Sequence, residues 1–229
     1  MNAVPENTTV TAPDLVTEHP DSRRPEHFTR STVGWLPWLA PLTEDELTPR
    51  HREALVEESR ARMPYFALLV RDPDALEART RTDFDIFHNT EGGLPRAERE
   101  LAAAAVSRFN GCVFCASVHA RLAARFSSRG EDVDRLLAEG VDTDTGDRLW
   151  NAVVRAAVAL SRTPVEFGPE HVDELRAHGL SDIEIGDVIN SASFFNWANR
   201  LMLSLGEPVH PHDRPGRTAP GRANPEGDR

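Results

Sequence analysis

Residues 100–119, ELAAAAVSRFNGCVFCASVH, decide the fold, because they have the pattern of two helices joined by a tight turn. The first helix is rich in alanine, the residue with the highest helix propensity. Asn110-Gly111 is typical of a helix end followed by a turn, so a second helix is predicted from Cys112 to Ser127. Helices joined by so short a turn normally pack antiparallel, and alanines let them approach closely.

The second helix carries residues that can do chemistry. Cys112, Cys115 and His119 follow the i, i+3, i+7 spacing that lines one helix face. The His119 ring is therefore within reach of the Cys115 sulfur, directly or through one water. Both thiols lie in the first turn, where free N–H groups and the helix dipole favour a thiolate, so we expect lowered thiol pKa values.

The first helix offers a carboxylate to this group. Glu100 can reach the far ring nitrogen of His119 across the helix pair, which would fix the tautomer of the ring. Glu98, about half a turn away, is the alternative partner. A base that is held by a carboxylate and lies beside a thiol is the arrangement that activates a nucleophile.

Cysteine usage indicates the kind of site. The chain has only 2 cysteines in 229 residues, too few for a disulfide framework. A CxxC pair in a reducing compartment is redox-active or metal-binding more often than structural. Structural zinc needs four ligands, and only Cys112, Cys115 and His119 cluster here, so a redox pair is predicted and a metal site is not.

The pattern Glu100-x11-Cys112-Val-Phe-Cys115-Ala-Ser-Val-His119 resembles the active-site motif of the alkylhydroperoxidase D-like proteins in the carboxymuconolactone decarboxylase superfamily. The segment SASFFNWANRLMLSLGEP at 191–208 extends the resemblance to the peroxidase-related subgroup. The resemblance covers about residues 35–208 and implies an all-helical bundle of about eight to nine helices that works as a homo-oligomer.

The resemblance also implies a thiol-dependent peroxidase that acts in antioxidant defence. Cys115 would attack a hydroperoxide and become a sulfenic acid, and Cys112 would resolve it to a disulfide. His119 would act as the base, supported by Glu100 as a proton relay. The disulfide would be reduced by a lipoylated protein, as in the family relative, or by a thioredoxin-like protein or small thiol, with no bound cofactor.

The sequence leaves three other functions open. The same CxxC pair could serve a disulfide oxidoreductase or a redox sensor that turns over no peroxide. A non-redox, decarboxylase-like member of the superfamily would use acid–base residues and need no cysteines, so the CxxC pair argues against it. A structural protein of helical oligomers would carry inert cysteines as small buried hydrophobes.

Outward from the central helix pair, the chain is a succession of helical patterns with little strand-like alternation, so the fold class is predicted as all-α. Residues 33–42, VGWLPWLAPL, form an apolar, proline-broken lead-in. Capping boxes begin at Thr43 and Ser181. The predicted helices span residues 43–62, 63–71, 73–88, 95–110, 112–127, 132–139, 146–162, 169–178 and 181–205.

Proline-rich ends flank this helical domain, which is predicted at residues 33–206. Residues 1–32 contain four prolines and few large apolar side chains, so they are predicted to form a flexible arm. Residues 207–229 contain five prolines and one aliphatic residue and are predicted to form a polar tail.

Charge and composition exclude several classes of function. The formal net charge of −11 is a poor match for a phosphate backbone, so no nucleic-acid partner is predicted. The chain has no lysine, which excludes Schiff-base, pyridoxal and P-loop lysine chemistry. Its apolar runs are far shorter than the roughly 20 residues that span a bilayer, and its first residues resemble no export signal. We therefore predict no membrane association and a cytoplasmic location.

A weak internal similarity is visible near the end of the helical region. Asn196 and Asn199 repeat the spacing of the two cysteines, after Glu184 at the position equivalent to Glu100. We interpret the apolar residues of this last helix as core and interface. Trp197 and Asn199 are candidates for lining the substrate pocket or a subunit contact.

Overall fold

The structure is a computed structural model that describes residues 16–89 and 91–211. These residues form nine α-helices and one small sheet, so the predicted all-α class and helix number are confirmed. The helices are α1 (Pro49–Ala54), α2 (Pro64–Leu69), α3 (Pro73–His88), α4 (Arg96–Phe109), α5 (Val113–Ser127), α6 (Gly130–Glu139), α7 (Arg148–Ser161), α8 (Pro169–Ala177) and α9 (Asp182–Leu205). The strands are β1 (Gly34–Pro37) and β2 (Gly206–Val209). No helix of this described part is both long and apolar enough to cross a bilayer.

Helix α4 is the central element of the fold. It packs against α5, α7 and α9, and its residues from Leu101 to Val106 have no exposed surface. The alanines within this run keep the side-chain layer thin, so the neighbouring helices approach closely. The alanine-rich helix predicted from the sequence is therefore the core around which the others pack.

The turn between α4 and α5 has the predicted chemistry. Asn110 ends α4, and Gly111 adopts a φ of +80°, a left-handed conformation that a glycine takes at no steric cost. Cys112 follows as the N-cap residue of α5, directly before its first residue, Val113. This turn fixes where the first thiol stands relative to the helix dipole.

The two-stranded sheet was not predicted. Strand β1 pairs with β2 in antiparallel register, with Gly34 opposite Val209. Each strand has four residues and one proline, so neither shows the alternation that identifies a strand in a sequence. The predicted end of the helical domain at residue 206 consequently falls inside β2, because the first residues of the predicted tail are tied to the lead-in segment.

The single helix predicted over residues 43–62 is wrong. The capping box that starts it is present, since Thr43 N donates to Glu46 Oε2 at 2.7 Å, but it opens only one short 3-10 turn. Pro49 then starts α1 instead of continuing a helix, because it lacks the N–H and its ring clashes with the preceding turn. Val56 has a φ of +65°, which separates α1 from a second 3-10 turn over Glu58–Arg62.

The described part of the predicted arm, residues 16–32, has neither helix nor strand but contacts the folded domain. Arg24 Nε donates to Glu207 Oε2 at 2.6 Å, and Arg30 Nε donates to Asp134 Oδ1 at 2.6 Å. Residues 1–15, Thr90 and residues 212–229, which hold the rest of the predicted arm and tail, lie outside the described residues. The division into arm, domain and tail stays a prediction.

Candidate active site

The two cysteines lie at the start of α5, as the spacing predicts. Cys112 is the capping residue of the helix, and Cys115 follows one turn later. Both are free thiols, and both are buried. The structure therefore places two sulfurs on one helix end, shielded from solvent.

His119 and Glu100 meet across the α4–α5 pair. His119 Nδ1 and Glu100 Oε2 are 2.6 Å apart, and Glu100 is almost completely buried. Glu98, the alternative partner, is turned toward α7, where its Oε1 accepts a hydrogen bond from Trp150 Nε1 at 3.0 Å. The carboxylate that holds the histidine ring is thus Glu100, and Nε2 is the ring nitrogen left for proton exchange.

Arg96 is a part of this group that the sequence reasoning missed. Its Nε donates to Glu100 Oε1 at 3.0 Å, so the two carboxylate oxygens of Glu100 bind one arginine and one histidine. A buried carboxylate needs such compensation. The i, i+4 spacing from Arg96 to Glu100 on a helix is a signal that could have identified the pair.

Aromatic rings from two other helices hold the His119 ring. Phe195 of α9 lies with its ring centroid 3.9 Å from that of His119, and Phe87 of α3 lies at 5.4 Å. Phe195 and Phe87 also contact each other edge to face at 5.4 Å. The imidazole is therefore fixed by its contacts with these two rings and by Glu100 at Nδ1.

The two thiols have opposite pKa shifts. The pKa of Cys112 is lowered, chiefly by a hydrogen bond from the Cys115 thiol and further by the backbone N–H groups of Cys115 and Phe114. The pKa of Cys115 is raised, first by that same interaction and second by burial, although Asn199 and the charge of Arg79 act in the opposite direction. The expected lowering is therefore wrong for Cys115, because its hydrogen bond with Cys112 and its burial both favour the protonated thiol.

A cavity of about 220 Å³ opens beside Cys115 and His119. Cys115 is among its lining residues and Cys112 is not, so a molecule in the cavity meets Cys115. Much of the wall is apolar and is contributed by α2, α3, α5 and α9, including Phe66, Phe87, Phe114, Leu122, Phe195 and Met202. The site can thus hold a small apolar molecule against one thiol and one histidine.

Two polar residues of the opposite wall also escaped the sequence reasoning. Tyr65 of α2 and Arg79 of α3 line the cavity, and both are buried. They are separated from the CxxC motif by more than a helix of sequence, so no spacing rule connects them to it. The structure alone places them at the site.

Asn199, which the internal similarity singled out, lies behind the thiols. It is fully buried, donates from Nδ2 to Ser107 Oγ at 3.0 Å, and accepts from Asn110 Nδ2 at 3.1 Å. Its interaction with Cys115 opposes the rise of that thiol's pKa. Trp197, by contrast, is 47% exposed and is not among the residues that line this cavity.

Among the described residues, no group of three or more histidine, cysteine, aspartate or glutamate side chains is arranged to hold a metal ion. The polar groups that line the cavity include the Cys115 thiol, the His119 imidazole and the Glu100 carboxylate, which is bound to an arginine. Their chemistry is that of nucleophile activation and proton transfer.

The sequence matches one family model. Residues 73–159 match the carboxymuconolactone decarboxylase family, a range that runs from α3 to α7 and contains Glu100, Cys112, Cys115 and His119. No curated protein matches the chain.

Several solved structures have the same fold. An uncharacterised peroxidase-related protein with an alkylhydroperoxidase AhpD core from Ralstonia eutropha JMP134 is 21% identical, with a TM-score of 0.64, over 86% of this chain and 96% of its own. A peroxidase-related protein from Silicibacter sp. TM1040 is 22% identical, with a TM-score of 0.60, over 76% and 96%. The debrominase Bmp8, in complex with 2,3,4-tribromopyrrole, is 20% identical, with a TM-score of 0.56, over 72% and 87%.

Proposed function

We propose that the chain, whose residues 73–159 match the carboxymuconolactone decarboxylase family and whose fold is that of an alkylhydroperoxidase AhpD core, is a thiol-dependent peroxidase that reduces organic hydroperoxides. The observation that supports this most is the cavity, in which Cys115 and the Glu100-bound His119 face an apolar space. A nucleophilic sulfur and a positioned base beside a binding space are the parts that such a reaction needs.

Cys115 is the attacking sulfur in this proposal, because it lines the cavity and Cys112 does not. Its raised pKa means that the thiol keeps its proton in the resting enzyme. His119 accepts this proton when the hydroperoxide is bound, and Glu100 holds the resulting imidazolium at Nδ1. The carboxylate and the histidine thus act as one proton relay.

The first chemical step forms one bond and breaks one. The Cys115 thiolate attacks the outer oxygen of the hydroperoxide, so an S–O bond forms while the O–O bond breaks. The sulfur is oxidised to a sulfenic acid and the peroxide is reduced. The leaving oxygen takes the proton from His119 and departs as an alcohol.

The second step uses Cys112. Its thiolate, favoured by the lowered pKa, attacks the Cys115 sulfur, so the S–S bond forms and the hydroxyl group leaves with a proton as water. A dithiol reductant, such as a lipoylated or thioredoxin-like protein or a small thiol, then returns the pair to the dithiol by exchange. Two electrons enter from the reductant for each hydroperoxide reduced.

Hydroperoxide consumption with a dithiol reductant tests the proposal. We expect Cys115→Ser to lose turnover, and we expect Cys112→Ser to form one sulfenic acid per chain, trapped by a dione probe, without a disulfide. Unchanged hydroperoxide turnover in Cys115→Ser would contradict this mechanism. If neither the wild type nor any variant turned over hydroperoxide, a redox sensor or a structural protein would be favoured. If the cysteine variants turned over a lactone, a decarboxylase-like reaction would be favoured.

A further inference from the structure

Two buried hydrogen-bond donors at the cavity have no partner. In the described part of the chain, Tyr65 Oη and Arg79 Nε are enclosed by protein and make no hydrogen bond. Tyr65 and Arg79 are each only 8% exposed. Leaving a buried donor unpaired costs on the order of 1–3 kcal/mol, so two of them in one cavity call for an explanation.

Both residues line the cavity that the attacking sulfur of Cys115 also lines, together with His119. The Arg79 guanidinium lies 5.9 Å from the centroid of the Tyr65 ring, and its charge acts to lower the pKa of the Cys115 thiol. A molecule held against Cys115 thus lies in the cavity that Tyr65 and Arg79 help to line, and a small rotation of either side chain brings its donor to that molecule.

The two side chains are fixed by contacts that leave the donors unused. Arg79 Nη1 donates to Asp83 Oδ2 at 3.0 Å, and the guanidinium lies 5.1 Å from the ring centroid of Phe194. The Tyr65 ring packs edge to face on Trp35, with centroids 5.7 Å apart. Donors that are held in place before the substrate arrives cost no reorganisation when charge develops in front of them.

We propose that Tyr65 Oη–H and Arg79 Nε–H are catalytic donors that bind the inner oxygen of the hydroperoxide, the one that leaves when Cys115 attacks. This inference rests on the proposed peroxidase function. As the O–O bond breaks, this oxygen gains the negative charge that the thiolate loses, so a phenol and a guanidinium bind it more tightly in the transition state than in the ground state. The oxygen still receives its proton from His119.

The state of the phenol fits this role. Burial raises the pKa of Tyr65, and the nearby Arg79 charge opposes that rise only in part. The hydroxyl therefore stays protonated, and remains a donor, at neutral pH. Tyr65 is the single tyrosine of the chain, so its removal affects no second phenol.

The first test is Tyr65→Phe, which removes only the hydroxyl group. We expect kcat/KM for cumene hydroperoxide to fall about a hundredfold, as on loss of one oxyanion donor. The melting temperature should hold or rise, because an unpaired buried hydroxyl is lost. The rate at which iodoacetamide alkylates Cys115 should stay within twofold, because that reaction releases no oxyanion.

The second test is Arg79→Met, with Arg81→Met as its matched control. Arg81 lies on the same helix and pairs with a carboxylate four residues away, Glu77, but its side chain is 66% exposed. We expect a loss of at least about a hundredfold in kcat/KM for Arg79→Met, the lower end of the range for one oxyanion donor, and none for Arg81→Met.

Wild-type values of kcat/KM in both Tyr65→Phe and Arg79→Met would overturn this inference while the peroxidase function stands. An equal fall of peroxide reduction and alkylation in Tyr65→Phe would also overturn it, since the hydroxyl would then act on the thiol alone. A wild-type protein without hydroperoxide turnover would overturn the proposed function and this inference together. If Arg79→Met does not fold, Tyr65→Phe alone decides.

Discussion

The two walls of the cavity are built in different ways. The α4–α5 wall carries Glu100, Cys115 and His119 within twenty consecutive residues and presents the reacting groups. The α2–α3 wall carries Tyr65 and Arg79, which are separated from each other by a helix boundary and are held by Trp35 of β1 and by Asp83. The groups proposed to exchange protons with the sulfur are thus local in sequence, whereas the groups proposed to bind the substrate from the other wall depend on tertiary packing.

The largest expected effect comes from substitutions in the α4–α5 wall. His119→Ala should lower kcat/KM for a hydroperoxide by about 10²–10⁴-fold, because general-base catalysis is lost. Glu100→Gln should lower it less, since an amide oxygen can still meet Nδ1 but carries no charge to hold the imidazolium. Steady-state turnover with a dithiol reductant measures both.

Glu98→Gln is the matched control for Glu100→Gln, because Glu98 lies on the same helix and binds Trp150 instead of the histidine. It should keep the wild-type kcat/KM. A loss in Glu98→Gln as large as that in Glu100→Gln would contradict the relay and would point to a general effect on α4.

The next largest effect is expected from a substitution beside Trp35, the residue that supports the α2–α3 wall. A Cβ at position 206 would collide with the Leu36 carbonyl oxygen and the Trp35 ring, so Gly206→Ala should lower the free energy of unfolding by about 1–3 kcal/mol. Because Trp35 packs on Tyr65, kcat/KM should fall as well, with little change in alkylation of Cys115. Urea unfolding and peroxide turnover measure the two effects.

Gly186→Ala tests whether any alanine in place of glycine has this result. A Cβ on Gly186, in α9, meets no atom within 4 Å, and alanine favours a helix by roughly 0.5–1 kcal/mol over glycine. It should leave the protein as stable as the wild type or more so. Loss of stability in Gly186→Ala and none in Gly206→Ala would refute the role of the strand pair.

The smallest effect concerns the balance between the two thiols. Cys112→Ala removes the main cause of the raised pKa of Cys115. The thiolate fraction of Cys115 then increases at lower pH, so its alkylation profile should move to lower pH and its rate near neutral pH should rise several-fold. Iodoacetamide labelling across pH, read by peptide mass, measures the shift. A profile that stays in place or moves to higher pH would mean that burial alone raises the Cys115 pKa.

The sequence predicts most of the α4–α5 wall because its contacts are local. The CxxC spacing, the Asn110-Gly111 turn and the i, i+4 step to His119 are all set within one helix or one turn. The choice between Glu98 and Glu100 needed the angle at which two helices pack, and the structure supplied it. The opposite thiol pKa shifts depend first on which thiol donates the hydrogen bond between them and then on burial, and the spacing of the cysteines gives neither.

The α2–α3 wall and the sheet could not be predicted because their contacts join residues that are far apart in the sequence. Tyr65 and Arg79 come to Cys115 only through packing of α2 and α3, which no periodicity encodes. The strands have four residues each and pair across nearly the whole described chain, so they carry no pattern of their own. Pro49 and Val56 interrupted the predicted 43–62 helix for backbone reasons, one by its ring and one by its positive φ.

The pairing of β1 with β2 also orders events during folding. The α4–α5 pair closes a turn of a few residues, whereas the hydrogen bond from Trp35 Nε1 to the Met202 carbonyl joins residues that are 167 positions apart. Loop-closure entropy grows with the length of the loop, so the helix pair that bears the thiols closes more readily than the sheet. On the ribosome, β2 emerges after all nine described helices. In a nascent chain, the helix pair that carries the two thiols can therefore form before the pairing of β1 with β2 fixes Trp35 against Tyr65.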